Sequence, residues 1–463
     1  MTVCDKIKSV VNNAARDETS YYLRWQALRS AVDAGVADEK TMGYFKEALY
    51  GSRSKDEQMD ALLVVEQTRY IDPDILSGVY RCILQNGSHD VRRSAVSVLG
   101  TIISQLDESE RIRICEQIRS GPWAFMQWDY PFGVIRIVRN SGIGGVENLG
   151  MLVELPEKGE DEHVMFPIPE RAKKHKIAFD VLVALAQLGW DDMARPELER
   201  VARGQGDDTD IADPTRRTAI DALLQMDPDN EVAIDALRSV LSTLSTSVNV
   251  SAVEEYLCLV GKFGIVDKSI IGSLLEIARK HPARWGRIEA IKTLSRLPLK
   301  DRGEIVRALR RGLDDNDVHT RSSALGALVY VWEATADDIN RVSKDIQWNE
   351  FVEALWGIRW NSLPREIYSV YVNPPPIPDN IRHELIALSS APTTDSGQEP
   401  WRAMARLLLG RFNEHDVDAL IEFLERPNIY DASRGEALTV LSTAWLAFGC
   451  NPNKQLFAPG SPV

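Results

Sequence analysis

The sequence predicts an all-α fold, an α-solenoid of about twelve helical hairpins stacked into a curved superhelix. Three observations predict it. An Arg-x-x-Ala-x-x-x-Leu signature recurs along nearly the whole chain, its copies fall at near-constant intervals, and turn-forming residues precede each copy. Self-similarity at a period of roughly 20–50 residues marks a repeat array, in which each unit completes its core only by stacking on its neighbours. A chain of 463 residues also exceeds what one globular core normally holds.

The clear copies are Arg92/Ala95/Leu99, Arg216/Ala219/Leu223, Arg287/Ala290/Leu294, Arg321/Ala324/Leu328, Arg402/Ala405/Leu409 and Arg434/Ala437/Leu441. Looser ones are Arg24/Ala27/Ala31, Gln58/Ala61/Val65, His175/Ala178/Leu182 and Glu254/Leu257/Gly261. Tyr130/Gly133/Ile137 and Phe351/Ala354/Ile358 fill the two wide intervals, from 92 to 175 and from 321 to 402. Steps of three and then four residues keep the small and the large apolar residue on one helix face. Alanine admits a neighbouring helix closely, and leucine fills the space one turn on.

Each signature helix is preceded by turn chemistry, as in Asn86-Gly87-Ser88-His89-Asp90, Asp213-Pro214-Thr215, His281-Pro282, Asp314-Asp315-Asn316-Asp317 and Asp431-Ala432-Ser433. These are turn and N-cap residues. Upstream of each turn lies a second amphipathic segment, for example 75–84, 270–278, 305–313 and 417–424. The unit is therefore helix, turn, helix. The recurrent Arg is expected to be structural, bridging adjacent units with an acid from a turn.

This pattern resembles the HEAT-repeat superfamily. In its Asp-Val-Arg-x-x-Ala-x-x-x-Leu form, at 90–99, it resembles the HEAT-like repeats of phycobilin lyases. The resemblance covers residues 5–450 and implies the fold; a binding role as scaffold or adaptor follows from it only by analogy. The organisation expected is a continuous solenoid over 1–450, with an insertion at 142–174, a Pro-rich linker at 372–378 and a flexible tail at 451–463. The insertion holds Pro156, Pro167, Pro169 and an acidic stretch, and a loop of that length is commonly functional or disordered. In the linker, Pro374, Pro375, Pro376 and Pro378 forbid helix. The acidic loop 204–210 lacks the ligand order of a calcium loop.

Composition narrows the function classes. No run of eighteen apolar residues is present, so no membrane span or membrane partner is expected. The N-terminus has no signal-peptide layout, and a cytoplasmic location is expected. Cys4, Cys82, Cys115, Cys258 and Cys450 show no metal-type spacing and no close pairs, which argues against a disulfide framework. The seven histidines form no His-x-x-x-His pair. An iron-binding HEAT family, deoxyhypusine hydroxylase, uses several His-Glu pairs, whereas this chain has one, His383-Glu384. Neither a metal nor a cofactor is expected, and the chain reads as non-enzymatic. A family of alkylpurine DNA glycosylases resembles the fold, and Trp123, Trp128, Asp129, Arg136 and Arg139 superficially suit its chemistry. The motif spacing does not match. A HEAT-like lyase or glycosylase is thus the lesser reading.

Two features point to partners. Aromatic residues cluster at Trp123, Phe125, Trp128, Tyr130 and Phe132, and again at Trp348, Phe351, Trp356 and Trp360. The second group covers most of a helix circumference and is expected to be buried on both sides. The chain carries a net charge of −14, yet residues 279–311 hold eleven Lys and Arg against three acids, a local +8. On the helix from 302 to 311, Ile305, Val306 and Leu309 form the apolar stripe, leaving Arg307, Arg310 and Arg311 outward. The expected function is a scaffold that binds a protein partner through its concave face and insertion. Its contact residues are expected among Arg284, Arg307, Arg310, Arg311, Trp123, Trp128 and Tyr130. The alternative is a nucleic-acid-binding solenoid using the basic 279–311 patch, in which Trp285 is interleaved.

Overall fold

The computed structural model describes residues 2–17, 20–51, 54–120, 122, 126, 131–143, 183–184, 186, 191–204, 214–245, 250–298, 302–356, 377–391, 396–426 and 429–448. All regular structure among them is helical, with no β-strand. The chain forms two compact units, one from residues 1–42 and 238–462, the other from 43–237.

The helices are α1 (Val3–Asp17), α2 (Tyr21–Asp33), α3 (Glu39–Leu49), α4 (Lys55–Thr68), α5 (Pro73–Gln85), α6 (His89–Ile102), α7 (Glu108–Ser120), α8 (Pro131–Ser141), α9 (Asp191–Ala202), α10 (Pro214–Met226) and α11 (Glu231–Leu244). They continue as α12 (Val250–Phe263), α13 (Lys268–Lys280), α14 (Arg284–Arg296), α15 (Gly303–Gly312), α16 (Val318–Tyr330), α17 (Ala336–Val342), α18 (Trp348–Trp356), α19 (Asp379–Ser390), α20 (Glu399–Leu408), α21 (Glu414–Glu425) and α22 (Asp431–Ala447). Odd-numbered helices are the first of each pair and even-numbered ones the second, which carry the signature. One further pair, that of His175/Ala178/Leu182, lies outside the described residues apart from the helical and buried Val183, Ala184 and Ala186. The insertion at 142–174 beyond Ile143, the linker 372–378 before Ile377, and the tail 451–463 also lie outside them.

In the larger unit the second helices pack side by side in the order α12, α14, α16, α18, α20, α22 and then α2. The first helices form the other layer, with α13 beside α15 and α21 beside α1. In the smaller unit α4, α6 and α8 form the corresponding row. The signature explains this packing. Ala27, Ala61, Ala95, Ala219, Ala290, Ala324, Ala405 and Ala437 are all buried, as are Leu99, Leu223, Leu294, Leu328, Leu409 and Leu441. Gly326 shows how close the helices come: a Cβ there would stand 2.4 Å from the Phe351 carbonyl oxygen, so α16 and α18 meet backbone to backbone. Trp348 and Phe351 are buried edge to face, ring centroids 5.4 Å apart, as the covered-helix reading requires of them; the side chain of Trp356 and all of Trp360 lie outside the described residues.

The first helical pair stacks on the last. α2 packs on α22, and α1 on α21 and α22. Lys6 Nζ lies 2.7 Å from Asp418 and 3.3 Å from Glu414, while Ser20 donates to Asp431 at 2.5 Å. Cys4 on α1 is disulfide-bonded, which corrects the expectation, drawn from the lack of close pairs, that the cysteines form no disulfide framework. Neighbourhoods made by stacking do not show in sequence spacing. Cys82 and Cys115 are buried free thiols, the former pushed up to about 11 by burial. Cys258 is only half-buried.

Candidate interaction surface

The basic segment 279–311 spans the end of α13, all of α14 and most of α15, in the larger unit. Its shape follows from the turns that join each first helix to its second. Arg287, at the signature position on α14, donates from Nε and Nη2 to the two Asp315 carboxylate oxygens at 2.9 and 3.0 Å. Its Nη1 donates to the His281 carbonyl at 2.9 Å. Arg321 repeats the device one pair on, donating to the Asp315 and Asn316 carbonyls at 2.9 and 3.1 Å and pairing with Asp345. Arg402 reaches the Leu388 and Ala391 carbonyls, and Arg216 the Ala202 carbonyl at 3.0 Å. At these four positions the signature Arg thus ties the chain just before its own helix and, in Arg287 and Arg321, the acid of the next turn as well, whereas the buried Nε–H of Arg92 has no acceptor among the described residues. Bidentate guanidinium–carboxylate pairs have the planar geometry for this.

Acids from later pairs reach back into the basic segment, so the local +8 does not stand as an unopposed island. Arg310 is held by Asp338 at 3.4 Å and by the Glu333 carbonyl at 2.9 Å. Arg284 lies 3.8 Å from Asp317, and Arg307 4.0 Å from Glu304 on its own helix. Burial opposes the charge on Asp317, yet the N–H and O–H of Thr320, with His319 and Arg284 nearby, hold its carboxyl below the usual range. Burial, aided by Arg284, pushes His319 below its ordinary value.

Lys292 goes furthest. Only 4% exposed, it contacts Glu353 at 2.5 Å, Glu289 at 3.3 Å and Glu350 at 3.6 Å. Burial works against its charge, but the three carboxylates outweigh it and raise its pKa. The burial of Glu350 and Glu353 raises their pKa values in turn, offset in part by Lys292. Glu436 on α22 is pushed up to about 8, mainly by burial and also by Glu353, against a bond from Trp401. These groups weld second helices together.

What stays exposed is narrower than the segment. Arg279, Arg302 and Arg311 have exposed side chains and no ion pair among the described residues. Arg307 is 66% exposed. The stripe of α15 is as the sequence has it, with Ile305, Val306 and Leu309 buried. Trp285 is 41% exposed at the start of α14, with the Arg284 guanidinium 4.9 Å from its ring centroid and His319 at 6.3 Å. Arg311 closes α15 just before the turn that supplies Asp315 and Asp317, so it shares this edge. Trp123, Trp128 and Tyr130 lie outside the described residues. Arg136, weighed for glycosylase chemistry, donates to Ser97 at 2.8 Å and pairs with Glu66 at 3.2 Å, a cross-helix tie within the smaller unit.

No family model matches the chain, and no curated protein matches it in sequence. Among solved structures it is similar to Kap121p bound to Nup53p, with 14% identity and a TM-score of 0.33 over 98% of this chain and 50% of that one. It is also similar to an engineered protein, at 14% identity and a TM-score of 0.29 over 96% and 99%, and to She4p, at 13% and 0.24 over 94% and 66%. The chain spans about half the length of the Kap121p chains it matches. Likenesses at these values bear on no question of function.

Proposed function

We propose that this chain is a non-enzymatic helical-repeat scaffold that holds a protein partner on the turn edge of α14–α16. The observation that carries the reading is the Arg284–Trp285 couple, a cation stacked on an exposed indole along an edge otherwise locked by ion pairs. Tryptophan and arginine dominate interface energetics, and a rigid support lowers the cost of presenting them. Arg307 and Arg311 on α15 are the flanking contacts, with Arg310 contributing what its ties to Asp338 and Glu333 leave free. Trp123, Trp128, Tyr130 and the 142–174 insertion are further contacts in this proposal, which takes the pairs as one continuous array over 1–450 in a cytoplasmic protein.

Affinity for phosphate backbones needs a track of several unneutralised cations. Here Arg287, Lys292 and Arg310 are committed to acids, which favours a protein partner over nucleic acid. No helix among the described residues is long and apolar enough to cross a membrane. The test is capture from the native cell with and without nuclease, comparing wild type with a Trp285→Ala/Arg311→Glu variant. A protein retained after nuclease and lost in the variant supports the reading. Capture that nuclease abolishes supports the nucleic-acid alternative.

A further inference from the structure

A second site lies away from that edge, in the same unit. A cleft of about 650 Å³ opens between the first helices α19 and α21, with α20 beneath it. His383, Ile386 and Ser390 line one wall at helical spacing on α19, and His415 and Ala419 on α21, with Arg426 just past its end, the other. The floor is a pair of guanidiniums one turn apart on α20, Arg402 and Arg406, both almost wholly buried. They are fixed from several sides. Arg406 donates to Asp416 at 2.8 Å, to Glu399 at 3.2 Å and to the Ser389 carbonyl. Arg402 donates to Glu399 at 3.4 Å and to two carbonyls at the end of α19, and its buried Nε–H has no acceptor among the described residues.

The rim is differently placed. Arg411, in the turn between α20 and α21, is exposed and its side chain makes no hydrogen bond or ion pair with the described residues. Arg426 is exposed, its guanidinium 5.9 Å from the Phe423 ring centroid, and its one ion pair among the described residues is with Glu422, at 3.8 Å and itself well exposed, a pair that solvent largely screens. His383 hands its Nδ1–H to the Asp379 carbonyl at 2.6 Å, which fixes the ring. Four guanidiniums therefore face two carboxylates, Glu399 and Asp416, an excess of two positive charges in a chain of net charge −14. A cleft so charged within an acidic protein is complementary to a dianion, and arginine forks match its oxygens. The volume lies within the range of small-ligand sites, large enough for a phosphate and what it is attached to.

We infer that this cleft binds a phosphate monoester dianion, seated between Arg411 and Arg426 above the fixed guanidinium floor. The group arrives on a free small molecule or on a phosphorylated side chain. The inference stands independently of the proposed scaffold surface, since none of its residues belongs to that edge.

The test is titration calorimetry of the full chain with phenyl phosphate and with a short phosphoserine peptide. Phenyl sulfate, a monoanion of the same shape, is the charge control. Saturable binding of either phosphate is expected, about tenfold or more tighter than phenyl sulfate, and weakened about tenfold by Arg411→Gln or Arg426→Gln. Both variants should keep the wild-type melting temperature, because neither residue supports the fold, and Arg307→Gln should bind as wild type. Tighter binding of the peptide assigns the group to a protein, and tighter binding of phenyl phosphate to a metabolite. Failure of both phosphates to saturate, equal binding of phenyl sulfate, or binding untouched by both cleft variants would overturn the inference.

Discussion

Arg287→Ala tests the device on which the stacking rests. The wild-type side chain makes two charge-assisted bonds to Asp315 and one to the His281 carbonyl, at 2.9–3.0 Å, and both partners are mostly buried. A hydrogen bond to a charged group contributes about 1.5–3 kcal/mol, and the two to one carboxylate do not add in full. Asp315 also keeps the Asp317 N–H at 2.8 Å when the guanidinium is gone. The expected loss is therefore about 2–3 kcal/mol, read as a lower urea midpoint with an unchanged slope. Arg287→Lys should recover little, since an ammonium cannot span both oxygens. In a double-mutant cycle with Asp315→Ala, the coupling should be about 1–2 kcal/mol. A loss under about 0.5 kcal/mol, or strict additivity in the cycle, would refute the idea that the signature Arg joins successive pairs.

Lys292→Met should cost about 3–5 kcal/mol, because Glu353 and Glu350 would stay buried without their counter-charge; an unchanged urea midpoint would contradict this. Glu436→Gln should stabilise the protein as pH rises. With its folded pKa raised to about 8 from an ordinary 4.5, the unfolded carboxyl ionises first, so wild-type stability from this group is full below pH 4.5 and lost towards pH 8. Equal melting temperatures of Gln and wild type at pH 5 and pH 8 would refute it. Gly326→Ala should destabilise by at least about 1–3 kcal/mol by pushing α18 off α16, and a neutral result would show the crossing is looser than 2.4 Å implies.

The fold was legible because one helical face is written many times over. Ala95, Ala219, Ala290 and Ala324 were marked as crossing points by their spacing alone, and all are buried. The turn acids were legible in part: Asp317 caps α16, whereas Ser88 and Ala283 make no side-chain cap and the chain relies there on other bonds. Charge was misleading because it was counted along the chain. Asp315 stands 28 residues from Arg287, and Glu353 stands 61 from Lys292, so stacking delivers the counter-charge from outside any local window. Lys292 therefore looked like a surface cation and is a buried one. The cleft of Arg402, Arg406 and Arg411 went unread because Arg402 was absorbed by the signature. The i, i+4 arginines followed by Arg411 and His415 were the available signal, but only the packing of α19 and α21 against α20 shows that they share one space. Stacking of the first pair on the last had no signal in the repeat at all.

The central claim is that the Trp285 edge is where a partner binds, and the most direct measurement is quantitative capture by three proteins side by side. These are wild type, Trp285→Ala/Arg311→Glu, and Trp332→Ala, which removes an aromatic 54% exposed just past the far end of α16. All three should fold alike, since exposed substitutions shift stability by only about 0.5 kcal/mol. The account predicts a nuclease-resistant protein partner held equally by wild type and Trp332→Ala and lost from the double variant. Equal retention by all three would contradict it.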